Sequence, residues 1–278
     1  MAPHSVEVDD MQGGTDMLLF WVAFWCYLAA TLGASVYAGT RKDGVRTAVF
    51  YVTLLGFASN TGALIMRSVL SGHPPVTNLF EYLSFFAWAI VLGFLLIWRK
   101  KGLEVLTAFA ATIAFAMMVM ASLFPADISR QLIPALQSYW LWIHVSLAIL
   151  AEAAFAVAFV ASLMCLMGDK RGHRRLPDRN LLDSITYRAI GIGFPLFTVG
   201  ALFAGAVWAQ RAWGTPWSWD PKETSSLIVW LIYAIYLHVR RTRRGSIALT
   251  SGLSVLGFTL TILTILGSKF LGGLHSYG

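Results

Sequence analysis

The chain has 278 residues, 57% of them hydrophobic and only 13% charged, with a formal net charge of +7. Ordinary soluble domains carry roughly 25% charged residues. This composition excludes a single soluble globular core and reads as an all-α polytopic membrane protein.

The first sixteen residues are acidic, with Glu7, Asp9, Asp10 and Asp16. A secretory signal peptide starts with a positive segment, so targeting is expected from the first membrane helix itself. Eight apolar spans follow, at about 17–38, 47–70, 79–98, 103–124, 140–167, 190–210, 222–239 and 248–270. Most approach the ~20 residues that a helix needs to cross the hydrocarbon core. The fifth is longer, which implies tilt or protrusion. Barrel strands are shorter and alternate in polarity, so helices are the expectation throughout. No soluble domain fits between the spans, and residues 1–278 are expected to form one integral-membrane domain. Cys26 and Cys165 fall in different spans with no C-x-x-C and no zinc spacing; they read as small buried thiols.

The loops divide sharply by charge. Arg41, Lys42 and Arg46 lie in one, Arg99, Lys100 and Lys101 in a second. Lys170, Arg171, Arg174, Arg175, Arg179 and Arg188 lie in a third, and Arg240, Arg241, Arg243 and Arg244 in a fourth. These are sixteen of the 21 basic residues. The positive-inside rule puts these loops in the cytoplasm, with eight transmembrane helices and both termini outside. The basic excess is therefore a topology signal, and no nucleic-acid partner is expected.

Between the sixth and seventh spans, on the outer side, the chain reads "AWGTPWSWDPKET" at 212–224. Asp220 is placed to cap the seventh helix, with Pro221 at its first position and Glu223 completing a capping box. Gly214 and Pro216 favour a turn upstream. If Trp217–Trp219 is extended, both indoles point to one side. With Trp208 and Trp213, four tryptophans in a locked loop at about 208–224 exceed what an interfacial aromatic belt requires. They suggest a binding surface for something flat and apolar: porphyrin, quinone or lipid.

Of six histidines, His4, His73 and His173 are explained by polar segments or turn chemistry. His144 lies about one turn inside the outer end of the fifth span, and His275 just beyond the outer end of the eighth. Both belong at the depth of the tryptophan loop. A membrane histidine can simply bond a neighbouring helix, but two flanking an aromatic surface suggest axial ligands to one haem iron. His238 ends the seventh span on the inner side, where the chain offers no second ligand. Glu152 is an intramembrane carboxylate eight residues from His144, on the same helix face.

At this point the chain resembles a known family. "WGTPWSWDPKET" is similar to the WWD signature of haem-handling membrane proteins of cytochrome c maturation. The match is to the CcsA-type (ResC-type) subunit of the system II cytochrome c synthase. "HPPVTNLFEY" at 73–82, "YWLWIHVSLA" at 139–148, "WLIYAIYLHVR" at 230–240 and "GLHSYG" at 273–278 support it. The resemblance implies that His144 and His275 ligate haem b on the outer side, and that Trp208, Trp213, Trp217, Trp219 and Asp220 form the platform over it. His238 then belongs to an inner haem site whose other ligand lies on a CcsB/ResB-type partner, absent from this chain. The implied activity is holocytochrome c synthesis, in which haem crosses the bacterial inner membrane and is attached by thioether bonds to the CxxCH segment of apocytochrome c. Thiol-reducing pathway proteins would be further partners. No acid–base residue for the addition is evident. The alternatives are CcmC-like delivery of haem to a chaperone, a b-type cytochrome serving quinone, and a haem exporter without catalysis. The ending "DPKET" favours the CcsA type over CcmC.

Overall fold

A computed structural model describes residues 4–97, 104–128, 131–171, 176–242, 245–270 and Leu274. Among them there is no strand, and each of the eight apolar stretches is helical. The chain divides into two compact units, Met1–Leu132 and Ile133–Gly278.

The first unit holds α1 (His4–Thr40), α2 (Asp43–Ser71), α3 (Leu79–Ile97) and α4 (Glu104–Ser122). Its pairs α1–α2, α3–α4 and α1–α4 pack most extensively. Gly72, with φ 78°, ends α2 in the left-handed conformation that glycine adopts without steric cost. Near that end Arg67 is buried. It donates to Asp16 and Glu81, each at 2.9 Å, and to the carbonyls of Ala126 and Asp127. A cation removed from water requires such partners, and here they join three helices and the 125–128 segment.

The second unit holds a short 3-10 turn (Pro134–Leu136) and α5 (Tyr139–Arg171). They are followed by α6 (Arg179–Phe197), a π-helical segment (Thr198–Ala204), α7 (Gly205–Trp213), α8 (Pro221–Arg241) and α9 (Ile247–Phe270). From Arg179 to Trp213 the helical run is continuous. The predicted sixth span begins at 190; the helix begins at Arg179 because the Asp178 carboxylate caps it, accepting from the amides of Asn180 and Leu181. α5 lies at the centre of the unit, against α6, the π segment and α9. Phe155 on α5 stacks on Tyr233 of α8 with ring centroids 3.7 Å apart.

Six helical stretches of the described residues are long and apolar enough to cross a membrane: Gly14–Tyr37, Asp43–Ser71, Leu79–Ile97, Tyr139–Gly168, Arg179–Trp213 and Ile247–Gly267. Phe109–Ser122 is a shorter apolar helix. α8, with charged residues at both ends, is not among the six. This is the architecture of a polytopic helical membrane protein.

Candidate functional site: a histidine seated on a π-helical segment beneath a tryptophan loop

His144 projects from the first turns of α5 toward the π-helical segment. Its Nδ1 lies 2.9 Å from the carbonyl oxygen of Gly200. A carbonyl only accepts, so Nδ1 carries the proton and donates. The Nε2 lone pair is thereby left for another electrophile, the arrangement that orients metal-binding imidazoles.

The π segment explains how the two elements approach so closely. Pro195 has no N–H to give the α-helical ladder, and three residues later the helix widens to i→i+5 bonding. The Gly205 amide then donates to Gly200 O, the same oxygen that receives His144. A Cβ on Gly200 would lie 2.4 Å from the Leu147 Cβ, and one on Gly205 would lie 2.9 Å from His144 Nδ1. Two glycines therefore form the seat of the imidazole. π segments recur at functional sites for this reason: they turn backbone groups outward that an α-helix keeps to itself.

One face of the imidazole is backed by Trp208, near-parallel at 9° with centroids 5.9 Å apart. Trp208 is only 2% exposed, and its Nε1–H donates to Ala135 O at 2.8 Å. It packs edge to face with Trp213, centroids 4.8 Å apart. Trp208 and Trp213 thus support His144 from the side, and Trp208 is a wall of the interior and not part of an open surface.

After Trp213 the chain turns at Gly214, φ 79°, the left-handed cap of α7. The loop that follows is closely tied. Glu223 Oε2 accepts from Ser218 N at 2.7 Å, Ser218 Oγ at 3.1 Å and Asp220 N at 3.3 Å. Thr224 Oγ1 donates to Trp219 O at 3.2 Å. The capping box anticipated from the sequence is complete, with Asp220 as N-cap and Pro221 at the first position. The extended course anticipated for Trp217–Trp219 is not adopted. Trp219 has φ 59°, so the alternation of side chains fails, and the two indoles meet at 90° with centroids 5.6 Å apart. Trp217 is half-buried and Trp219 is 68% exposed. The pair forms a corner instead of a flat shelf, and only Trp219 projects outward.

An open groove begins immediately after Asp220. Pro221, Lys222, Ser225 and Ile228 of α8 face Leu260, Leu263 and Thr264 of α9 across it, and its lining is mostly apolar.

The remaining predicted residues divide. His275 lies outside the described residues, but the residue before it, Leu274, is tied to the loop: its amide donates to Asp220 Oδ2 at 2.7 Å. His238 is exposed in the last turn of α8, about 27 Å along the helix from Asp220 at 1.5 Å per residue. Glu152 is buried on α5. Sequence reasoning missed Gly200, Gly205, the Ala135 carbonyl and the triple acceptor role of Glu223. The run "GIGFPLFTVGALFAG" carries the signal: a proline followed by glycines five residues apart in a membrane helix is poor α-helix and good irregular helix.

These features define a class: a multi-pass helical membrane protein with a histidine fixed by a backbone carbonyl and backed by a buried tryptophan, in the same unit as a tightly bonded tryptophan loop. Residues 76–275 match the family model of the cytochrome C assembly protein. The cytochrome c biogenesis protein CcsA of Prochlorococcus marinus (strain AS9601) is 37% identical over 286 residues, covering 90% of this chain and 89% of that one. CcsA of Guillardia theta is 37% identical over 261 residues, covering 83% and 86%. Among solved structures, the cytochrome c haem lyase CcmF superposes with a TM-score of 0.68 at 20% identity, over 94% of this chain and 49% of that one; this likeness is one of fold. The chain belongs to the cytochrome c assembly family and is a CcsA-type cytochrome c biogenesis protein.

Proposed function

We propose that this protein receives haem b as a substrate and holds it on the outer side of the bacterial inner membrane for attachment to apocytochrome c. The single observation that carries the reading is the His144 geometry, with Nδ1 committed to Gly200 O and Nε2 left with its lone pair. In this reading His144 ligates the iron through Nε2 and His275 ligates from the opposite face. Trp217 and Trp219 cover the ring edge, and the apolar groove beside Asp220 borders it. The chain spans the membrane eight times with both termini outside, so the loop and the two histidines share one depth.

What these residues contribute chemically is placement. Two fixed axial donors leave the porphyrin plane a narrow range of orientations. A CxxCH segment docked over it would present its thiols to the vinyl groups as neighbours and not as diffusing reactants. No side chain at the loop is assigned proton transfer: Asp220 and Glu223 both have their carboxylates engaged with backbone amides. The exposed His238 is assigned to an inner site on the route of entry, completed by a ligand from a CcsB/ResB-type partner, and synthesis requires that partner.

The test is spectroscopic. Haem co-purifying with the wild-type chain should show the low-spin signature of two imidazoles, and His144→Ala should abolish it along with cytochrome c formation. Added imidazole should restore part of both. An unchanged spectrum and normal cytochrome c in His144→Ala would overturn the assignment.

A further inference from the structure

Helices α8 and α9 turn apolar side chains outward and hydroxyls inward. Ile228, Leu231 and Ile235 of α8 and Leu249, Leu256 and Leu263 of α9 are exposed, as surfaces that meet lipid tails can be. The buried face of α8 is Val229, Tyr233 and Tyr236. That of α9 includes Thr250, Ser251, Ser254 and Thr261. Thr250 and Thr261 donate to carbonyls of their own helix, Ser246 O and Gly257 O, the ordinary way such residues are satisfied. Tyr233, Tyr236 and Ser254 differ: each is 0% exposed, and none of the three hydroxyls has a hydrogen-bond partner. A tyrosine hydroxyl stands too far from its own backbone to be satisfied there, and burying it unpaired costs its desolvation in full.

These hydroxyls come together. The Pro221 end of α8 lies beside the Gly267 end of α9, so the two helices run antiparallel. A Cβ on Gly257 would sit 2.8 Å from the Tyr233 ring. That puts Tyr233 level with Gly257 and, one turn nearer Arg240, Tyr236 level with Ser254. Thr261 lies beside Tyr233, short of good hydrogen-bond geometry. Charged groups continue the line at both ends. Tyr236 is within electrostatic reach of Asp183 and Arg240, an ion pair whose arginine side chain is 29% exposed and so meets water. Toward Pro221 the stripe on α8 is interrupted by Val229, and α5 supplies the next polar group. Glu152 is buried there, within electrostatic reach of both Tyr233 and Lys222. Lys222 lines the open groove.

We propose that a proton relay runs through the second unit, from the Asp183–Arg240 pair through Tyr236, Ser254 and Tyr233, bridged by buried water, to Glu152, with the Lys222 ammonium as an electrostatic barrier at its groove end. The relay goes beyond the haem reading and does not depend on it. Carboxylates and other polar groups aligned inside a membrane protein mark such pathways. Each hydroxyl both donates and accepts, so the proton it passes on is replaced by the one it receives, and no electron moves. A bridging water needs roughly 2–4 polar partners, which the three hydroxyls and Thr261 supply. A fixed cation at the mouth repels protons, as in selective pores, so the resting protein does not short-circuit the membrane.

The test is proton flux through the full chain, reconstituted in vesicles of neutral lipid that enclose a pH-sensitive dye, with valinomycin and a potassium gradient setting the potential. Wild type should pass protons little faster than protein-free vesicles. Lys222→Gln should raise the flux about tenfold or more; the substitution spares the α8 cap, which Lys222 serves through its backbone amide. Adding Tyr233→Phe, Tyr236→Phe or Ser254→Ala to Lys222→Gln should return the flux to the wild-type level. Adding Thr259→Val, on the exposed face of α9, should leave it high. Flux in Lys222→Gln no greater than in wild type overturns the proposal. So does a high flux that survives loss of the three hydroxyls, or one that Thr259→Val abolishes, since either is a leak along another route. Should Lys222→Gln not accumulate, Tyr233→Phe is compared with wild type alone at a larger potential: a lower flux upholds the relay and an equal one overturns it.

Discussion

Two histidines of the second unit, His144 on α5 and His238 in the last turn of α8, stand in opposite circumstances. At the Pro221 end of α8, the capping box and the three donors on Glu223 bind the loop to the helix, and the Leu274 amide donates to Asp220. His144, on the neighbouring helix of the same unit, has one nitrogen committed and its ring face backed by Trp208. At the other end His238 stands exposed beside Arg240, whose guanidinium is engaged by Asp183 of α6 and lies over the Tyr187 ring. One end is preorganised from within the chain. The other presents an imidazole at its surface, as a site shared with another polypeptide would. Preorganisation at the first end suits a position where geometry must be held during bond formation.

The largest expected effect separates those ends. His144→Ala should lower cytochrome c formation more than about 100-fold, because even the outer-shell partners of a metal ligand are worth roughly 10–100-fold. Haem supplied from outside should not rescue it, although imidazole should. His238→Ala should also reduce cytochrome c, but externally supplied haem should refill the His144 site and restore its spectrum. If outside haem rescues neither variant or both alike, the two ends are not separate stations.

The next effect tests the seat of His144. Gly205→Ala places a methyl group 2.9 Å from Nδ1, within a contact that real side chains do not tolerate without movement. The imidazole must rotate or the π segment must shift, and the Gly200 bond weakens. Haem affinity should fall roughly 10–100-fold, the cost of losing an orienting partner, with the helical content unchanged. Gly252 is the control, because nothing lies within 4 Å of its added Cβ; Gly252→Ala should leave the haem spectrum as it is. Haem titration of the purified proteins reads both.

How much of this the sequence discloses follows from which forces decide each feature. The helices are legible because their apolar length has no other use in water or lipid. The α8 cap is legible because Asp, Pro and Glu at those spacings satisfy local amides, whatever the rest of the chain does. The π segment is not legible from hydropathy: Pro195 interrupts the ladder, and the value of the glycine pair that follows appears only when Leu147 and His144 of α5 pack against it. The conformation of Trp219 is hidden for a related reason. Its φ of 59° is imposed by Glu223 and Thr224 holding the backbone on either side, a three-residue agreement that no periodicity records. Trp208 carries the same lesson: its sequence position among three other tryptophans suggested a shared surface, whereas the Ala135 carbonyl draws it inside.

The smallest expected effect concerns that strained tryptophan, and two substitutions at one position separate strain from function. A non-glycine residue in the left-handed region costs about 1–2 kcal/mol. Trp219→Ala retains that cost and loses the edge-to-face contact with Trp217, worth about 0.5–1.5 kcal/mol. Trp219→Gly loses the same contact but relieves the strain, against an entropic penalty of about 0.5–1 kcal/mol from the unfolded chain. The glycine variant should therefore be more stable than the alanine variant by about 0.5–1 kcal/mol, measured by denaturation of the haem-free protein in detergent. Both should lose haem occupancy equally, because both lack the exposed indole. If the glycine variant is the less stable by about 0.5–1 kcal/mol, its entropic penalty alone, the left-handed turn carries no strain. If the glycine variant keeps its haem and the alanine variant does not, the backbone conformation, and not the indole, is what the loop contributes.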